Sequence, residues 1–370
     1  MNSITTPARS PFHIGEHTLQ SRTGKREAME KFGNQAIRSF LPEQHREFYQ
    51  QLPFLVVGSV DQRGAPWASI LPGEPGFAYS PTPTTLILRA KALKGDPLCE
   101  SLSKLNSPLG ILGIEIPTRR RNRLNARVSN AHDEHTELTV DQSFGNCPQY
   151  IQTRNFQFLD SSEIQASSQQ VRKFSNLDDH LRRTIRTSDT FFVSSFVPTK
   201  DRPEIEGVDV SHRGGMPGFV KADGNTLTIP DYSGNFHFNT LGNFLINPKA
   251  GLVFPDFETG NLLMLSGKVT LLWEDDPEVK AFKGAERGWR FTLEKGLLLE
   301  RGLPFRAPLK EYSPNSTITG TWIQAKAVMD AERLRHNWQP LKVTKITKES
   351  DTITSIYLIV QPYVCNFDLG

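Results

Sequence analysis

Cysteine is scarce. Cys99, Cys147 and Cys365 are the three in 370 residues, far apart and with no CxxC pair. That spacing excludes a disulfide framework, a zinc-finger pattern and a four-cysteine iron–sulfur centre within one chain. Long apolar runs are missing as well. No stretch reaches eighteen uninterrupted apolar residues, and residues 1–20 hold no apolar signal region, so a cytoplasmic protein without a membrane partner is expected. Charge of one sign is also lacking. The 43 Lys and Arg balance 40 Asp and Glu to a formal +3, with both signs interspersed, which argues against a nucleic-acid partner. Neither a GxSxG, a Walker nor an HExxH pattern occurs, so hydrolase and nucleoside-triphosphate readings have no support.

What is present is a globular composition, 37% hydrophobic and 22% charged, in a chain long enough for two domains. Phe54-Leu-Val-Val-Gly-Ser-Val60 is an apolar, β-branched run followed by the turn residues Asp61-Gln-Arg-Gly64. Phe191-Phe-Val-Ser-Ser-Phe-Val197 has the same character and leads into the loop Pro198 to Pro203. Both read as strands entering hairpins. Stretches of helical character precede them at 43–51 and 169–186. Pro75-Gly-Phe77 recurs as Pro217-Gly-Phe219.

From Thr85 to Val128 the two halves overlay without a gap, at a constant offset of 141 residues. Thr85-Leu86 falls on Thr226-Leu227, Asn106 on Asn247, and Gly110 on Gly251. Thr118, Leu124 and Val128 fall on Thr259, Leu265 and Val269. Identities are sparse, but the segment types agree as well, so two repeats of one small β domain are expected. Short strands separated by Gly, Pro and Asn turns favour an antiparallel barrel, which also removes exposed strand edges. Residues 131–175 read as a polar connection, 279–287 as helical, 304–317 as a loop, and 338–360 as two strands about a charged turn.

The second repeat contains Asp209-Val-Ser-His-Arg-Gly-Gly215 and, later, Asp231-Tyr-Ser-Gly-Asn-Phe-His-Phe-Asn-Thr-Leu-Gly-Asn243. Ser211, Arg213, Ser233, Asn235, Asn239, Thr240 and Asn243 are short donors set among glycines. A phosphate monoester is bound by such a set: a guanidinium, hydroxyls, and the amides at the start of a helix expected near residue 238. Turn formation by itself accounts for the same residue types. Thr118-Arg-Arg-Arg-Asn-Arg123 crowds four guanidiniums into five residues, which suits either a solvated loop or an anion. His132-Asp-Glu-His135 has metal-binding residue types but no convincing third ligand, so no metal is expected. Asp209, Asp231 and Asp256 read as turn or ion-pair acids.

The run from Phe191 to Leu272 includes Asn247-Pro-Lys-Ala-Gly-Leu-Val-Phe254, Glu258-Thr-Gly260 and Leu265-Ser-Gly-Lys-Val269. It resembles the FMN-binding split barrels related to pyridoxamine 5'-phosphate oxidase. The first repeat resembles them too, through Val60-Asp-Gln-Arg-Gly-Ala-Pro-Trp67 and Leu109-Gly-Ile-Leu112. The resemblance implies a mainly β protein with flanking helices, in which two tandem split β-barrels form an intrachain pseudo-dimer. It implies FMN between them, held by Ser211, His212, Arg213, Asp231, Ser233, Asn235, Asn239, Thr240 and Asn243. Trp67 and Ser69 of the first repeat would form a wall of the site, with the basic run 118–123 beside them. The family's usual Ser-Arg-Lys cluster at the helix start is here Phe238-Asn239-Thr240, and the matching Pro97-Leu98-Cys99 has no phosphate-binding character. One flavin per chain is therefore expected.

The implied function is FMN-dependent oxidoreduction or electron transfer, with a small molecule or redox protein as substrate. A ferredoxin or NAD(P)H reductase would be the donor, and a homodimer beyond the internal pair is compatible. A non-catalytic flavin module is the first alternative. A haem protein on the same barrel, with His212 or His237 as axial ligand, is the second. Residues 338–370 resemble the opening hairpin of a ferredoxin-reductase-type flavin domain. The expected division is an arm (1–45), the first barrel (46–165), the second barrel (166–290), an extension (291–337) and that partial hairpin (338–370).

Overall fold

A computed structural model describes residues 10–160, 169–200, 202–335 and 341–360. The strands of the first half are β1 (Phe54–Val60), β2 (Pro66–Pro72), β3 (Ala78–Thr82), β4 (Thr85–Leu88), β5 (Pro108–Glu115), β6 (Arg120–Ala131) and β7 (Thr136–Asn146). They form one antiparallel sheet in the order β2-β1-β5-β6-β7-β4-β3. Short strands β8 (Thr153–Arg154) and β9 (Gln157–Phe158) follow, then β10 (Gln170–Phe174). The second half supplies β11 (Thr190–Phe196), β12 (Val208–Gly214), β13 (Lys221–Asp223), β14 (Thr226–Tyr232), β15 (Lys249–Pro255), β16 (Leu262–Leu272) and β17 (Ala285–Glu300). Their order is β12-β11-β15-β16-β17-β14-β13, the first sheet's order again, with β10 added along the far end of β17.

The 141-residue offset survives folding. It carries β4 onto β14, the helix Leu98–Leu102 onto the start of the helix Asn239–Ile246, β5 onto β15 and β6 onto β16.

Strand alternation sorts the apolar residues into three cores. Leu55 and Val57 of β1 point inward with Leu71, Phe77, Leu109, Ile111, Leu124 and Leu138. Phe191 and Val193 of β11 do the same in the second sheet, with Leu227, Leu252, Leu265, Trp289 and Phe291. The alternate residues Phe54, Val56, Ile70 and Leu112 point outward and meet Phe192, Val210, Val253, Leu262 and Met264 from the other sheet. Burial on both faces is why β1 and β11 read as unbroken apolar runs rather than alternating ones. At about 1.5–3 kcal/mol for each large side chain fully buried, the core between the sheets is a substantial stabilising element.

The sheets cross closely at matched glycines. A Cβ on Gly110 would lie 2.5 Å from Val208 O at the start of β12. A Cβ on Gly251, its partner at the 141-residue offset, would lie 2.5 Å from Pro66 O at the start of β2. The contact is thus reciprocal, the pattern of a two-fold interface.

Several expectations change. Residues 169–186 are not one helix: they contain β10 and the helix Asp179–Thr187, capped by Asp178. The polar connection after residue 131 holds β7, whose Leu138, Val140, Ser143 and Phe144 are buried while Thr139 faces out and Asp141 and Gln142 are half-buried. Its mean polarity hid an amphipathic strand. The basic run is likewise the head of β6. The helical stretch near 279–287 shortens to Pro277–Ala281, and β17 starts at Ala285, so the second sheet runs past residue 290. In the stretch read as a loop, Phe305–Arg306 pairs with β9 and Leu309–Glu311 with β8.

The hairpin Leu341–Lys348 with Thr354–Val360 forms as expected, with Val343, Ile346, Ile356 and Leu358 exposed. Trp338 lies outside the described residues. The arm contains the helices Ile14–Arg22 and Arg26–Ala36. Among the described residues, no helix is long and apolar enough to cross a membrane.

Candidate functional site

A solvent-open cleft lies between the two sheets, with about 900 Å³ of non-atom space counting the solvent at its mouth. Ser211, His212 and Arg213 of β12 line one side, and Asp231, Ser233 and Asn235 follow from the end of β14. Asn239 and Thr240 come from the first turn of the helix Asn239–Ile246. The first sheet contributes Arg121, Arg123 and Asn146, and the segment after it contributes Cys147 and Tyr150. Alternation on β6 puts both arginines on one face.

The floor is a connected set of donors. The buried Arg123 guanidinium donates to Val210 O at 2.7 Å and 2.9 Å, to Asn239 Oδ1 at 2.6 Å, and to Ser211 Oγ. Ser211 Oγ and Thr240 Oγ1 stand 2.8 Å apart. Arg121 donates to Cys147 O at 2.5 Å. On the far side Asp231 lies between Arg213 at 3.4 Å and Arg287 at 2.9 Å. Burial, with Arg123 and Arg213 nearby, pushes Arg121 down to about 9. Burial lowers Arg123 also, though Asp209 draws it back up. Asp231 is the one carboxylate among the lining residues, against four guanidiniums. The cleft therefore favours an anion.

Two further features face the same space. The helix Asn239–Ile246 starts without a side-chain cap, and its N-cap Phe238 sits in the left-handed region at φ 62°. Phe236 is also left-handed, at φ 58°. Such backbone is costly for a phenylalanine and accompanies loops shaped around a ligand. It leaves first-turn amides available, as anion sites at helix starts require. His212 Nδ1 and Arg213 Nε are buried without a hydrogen-bond partner among the described residues. Burial, then Arg121, Arg213 and Arg154, hold the His212 imidazole well below its ordinary range, so it is neutral. Tyr150, Tyr232, Phe236 and Phe238 supply flat apolar walls, with the tyrosine rings 5.0 Å apart.

Eight of the expected residues thus come together: Ser211, His212, Arg213, Asp231, Ser233, Asn235, Asn239 and Thr240. Three stand elsewhere. Asn243 lies one turn deeper, bonded to His13 at 2.8 Å, Ser195 at 3.0 Å and Asp209 at 2.9 Å, which fastens the arm to the second sheet. Trp67 donates to Asp61 at 3.1 Å beneath Lys295, at the junction of the sheets. Ser69 donates to Asp96 at 2.7 Å inside the first half. Its place on β2 matches that of Ser211 on β12, each opposite the fourth residue of the neighbouring strand.

Arg121 and Arg123 entered the sequence reading only as part of a basic run, and Arg287 and Tyr150 were not singled out. Arg121 and Arg123 left a signal: at an offset of 141 they fall on Leu262 and Met264. His237 points away into a box of Phe12, Phe32 and Phe144, with both ring nitrogens unpartnered among the described residues and its imidazole pushed down to about 4 by burial. His212 and His237 are both buried, and of the two only His212 lines the cleft.

No family model matches the chain, and no curated protein matches it. Solved structures do. A protein of Lactobacillus delbrueckii assigned as a pyridoxamine 5'-phosphate oxidase is 15% identical, covering 29% of this chain and 95% of its own, at a TM-score of 0.23. HupZ of Group A Streptococcus is 10% identical, covering 37% of this chain and 98% of its own, at a TM-score of 0.25. An F420 reductase is 9% identical over 29% of this chain and 97% of its own, at a TM-score of 0.19. Likenesses at these TM-scores are too distant to describe the cleft.

Proposed function

We propose that the two sheets are a fused pair of split barrels and that the cleft between them binds one FMN per chain by its phosphate. The observation that carries this reading is the combination of Arg121 and Arg123 from one sheet with Ser211, Thr240 and an uncapped helix start from the other. A phosphomonoester carries about −1.5 to −2 charges and three acceptor oxygens. Asp231 engages Arg213 and Arg287, and Asp209 and Glu16 act on Arg123 from outside the lining, which leaves Arg121 as the guanidinium with no carboxylate beside it among the lining residues. The charge and the donor count therefore fit. The tyrosines and phenylalanines offer surfaces for a flat ring, and His212, neutral and unpartnered at Nδ1, offers a hydrogen bond to a polar ring edge.

When bound, FMN supplies the redox chemistry, and the chain binds and orients it. Arg123 is held by Val210 O and Asn239, so its fork is oriented before a ligand arrives. Among the described residues no acid–base pair in the cleft dictates a reaction direction, so the proposal extends to flavin-dependent electron transfer and not to a substrate. A redox protein or NAD(P)H-dependent reductase as donor belongs to the same proposal.

Fluorescence titration of the ligand-free chain with FMN and with riboflavin tests it. FMN is expected to bind on the order of 100-fold more tightly, because charge-assisted hydrogen bonds to the phosphate are worth about 1.5–3 kcal/mol each. Equal affinities would remove the phosphate assignment. A chain that takes up neither would remove the flavin.

A further inference from the structure

The β6–β7 hairpin ends in His132-Asp133-Glu134-His135, two imidazoles for which the sequence shows no third ligand. Folding supplies one. His132 N donates to His135 O at 2.9 Å, so the histidines face each other across a two-residue turn. Side chains alternate along a strand, so Glu137, two residues beyond His135, emerges on the same face. The register agrees, pairing Ala131 with Thr136 and Asn130 with Glu137.

One ligand atom from each of His132, His135 and Glu137 lies within 4.8 Å of the other two. His135 Nε2 stands 3.4 Å from Glu137 Oε1. Tetrahedral zinc, with bonds of about 2.0–2.1 Å, sets its ligand atoms roughly 3.4 Å apart. That pair already spans a tetrahedral edge. His132 is exposed, with its ring stacked 4.5 Å from that of His135, so a modest rotation brings its nitrogen to a third vertex.

We propose that His132, His135 and Glu137 bind a divalent metal ion of zinc-like character, with solvent completing the coordination. Two imidazoles and a carboxylate suit zinc, copper or nickel, whereas calcium and magnesium take oxygen ligands. The site is separate from the cleft: Arg123 lies nine residues back along β6, roughly 30 Å away at the rise of a strand. It does not depend on the flavin reading.

Calorimetric titration of Zn²⁺ into the metal-free full chain tests the proposal. One ion per chain is expected, with affinity falling in acid because histidine binds metal as the neutral imidazole. The double variant His132→Ala/His135→Ala should lose this binding, and Glu137→Gln should weaken it by about tenfold or more, roughly the worth of one charged ligand. Mg²⁺ should not compete. Because the tip is exposed, metal-free circular dichroism and melting should match the parent chain in both variants. No zinc uptake at roughly 100 μM, which corresponds to less than about 6 kcal/mol of binding, would overturn the proposal. So would unchanged uptake by the double variant.

Discussion

Arg121 and Arg123 stand at the head of β6, and at the same places in β16 stand Leu262 and Met264. Around the arginines gather Arg213, Asn239 and Thr240; at the matching places gather Leu71, Leu98 and Cys99. The second set is largely buried apolar packing: Leu262 and Met264 lie in the core between the sheets, and Leu71 and Leu98 in the first core. Strand order and helix position are the same in both halves, so the architecture demands neither a cleft nor its absence. A handful of side chains decides whether the seam between sheet and helix packs shut or stays open and basic. The cleft in this chain is an asymmetry laid on a repeated frame.

The largest effect is expected from forcing the packed side to imitate the open one. Met264→Arg places a guanidinium in the buried apolar core between the sheets. An uncompensated buried charge costs about 3–5 kcal/mol. Urea unfolding should show that loss, and a second flavin taken up at no cost in stability would break the comparison. The reverse change, Arg123→Met, removes four hydrogen bonds at the floor of the cleft. FMN affinity should fall about 100-fold, consistent with the 2–5 kcal/mol typical of truncating a buried charged contact. Riboflavin affinity should change much less.

Gly110→Ala and Gly251→Ala test the reciprocal crossing, since each added Cβ meets backbone of the other sheet. Each should destabilise by about 1–3 kcal/mol, and by similar amounts if the interface is two-fold. A large loss at one glycine and none at the other would show that only one crossing is tight.

The smallest effect at neutral pH concerns Asp96 and His237, which also correspond at the 141-residue offset. Burial raises Asp96 to about 6 and lowers His237 to about 4. Their linkage signs are opposite. The folded state holds the Asp96 proton more tightly, so that contribution is present below about 3.8 and is lost as pH rises towards 6. The folded state resists protonating His237, so its contribution is present above 6.5 and is lost as pH falls towards 4. Asp96→Asn should therefore flatten the decline on the rising side, and His237→Phe the decline in acid. Denaturant midpoints between pH 4 and 7 would read both, and curves unchanged in either variant would remove that group from the account.

Much of the frame was legible before folding. The β-branched runs at 54–60 and 191–197 marked β1 and β11, and the constant offset marked equivalent strands and helices, because insertions within a ladder disturb its register. Eight cleft residues were legible too, since glycine, serine and asparagine gather where backbone must turn close to a ligand. β7 was hidden, because many of its side chains are exposed or half-buried and its average is polar. Asn243, Trp67 and Ser69 were misplaced for a related reason: one-dimensional proximity to a motif does not say which way a side chain points.

By itself, the sequence determined the repeat, the strand-and-turn punctuation and the polar character of the loop from Asp231 to Asn243. These are local properties, written in alternation, turn residues and spacing. Only the tertiary structure decided that Arg121 and Arg123 of one half complete the cleft of the other, that Leu262 and Met264 close the matching seam, and that Glu137 joins two histidines at a hairpin tip. Such groupings depend on which faces two sheets turn towards each other and on which residues a register sets side by side. No window of neighbouring residues contains that information.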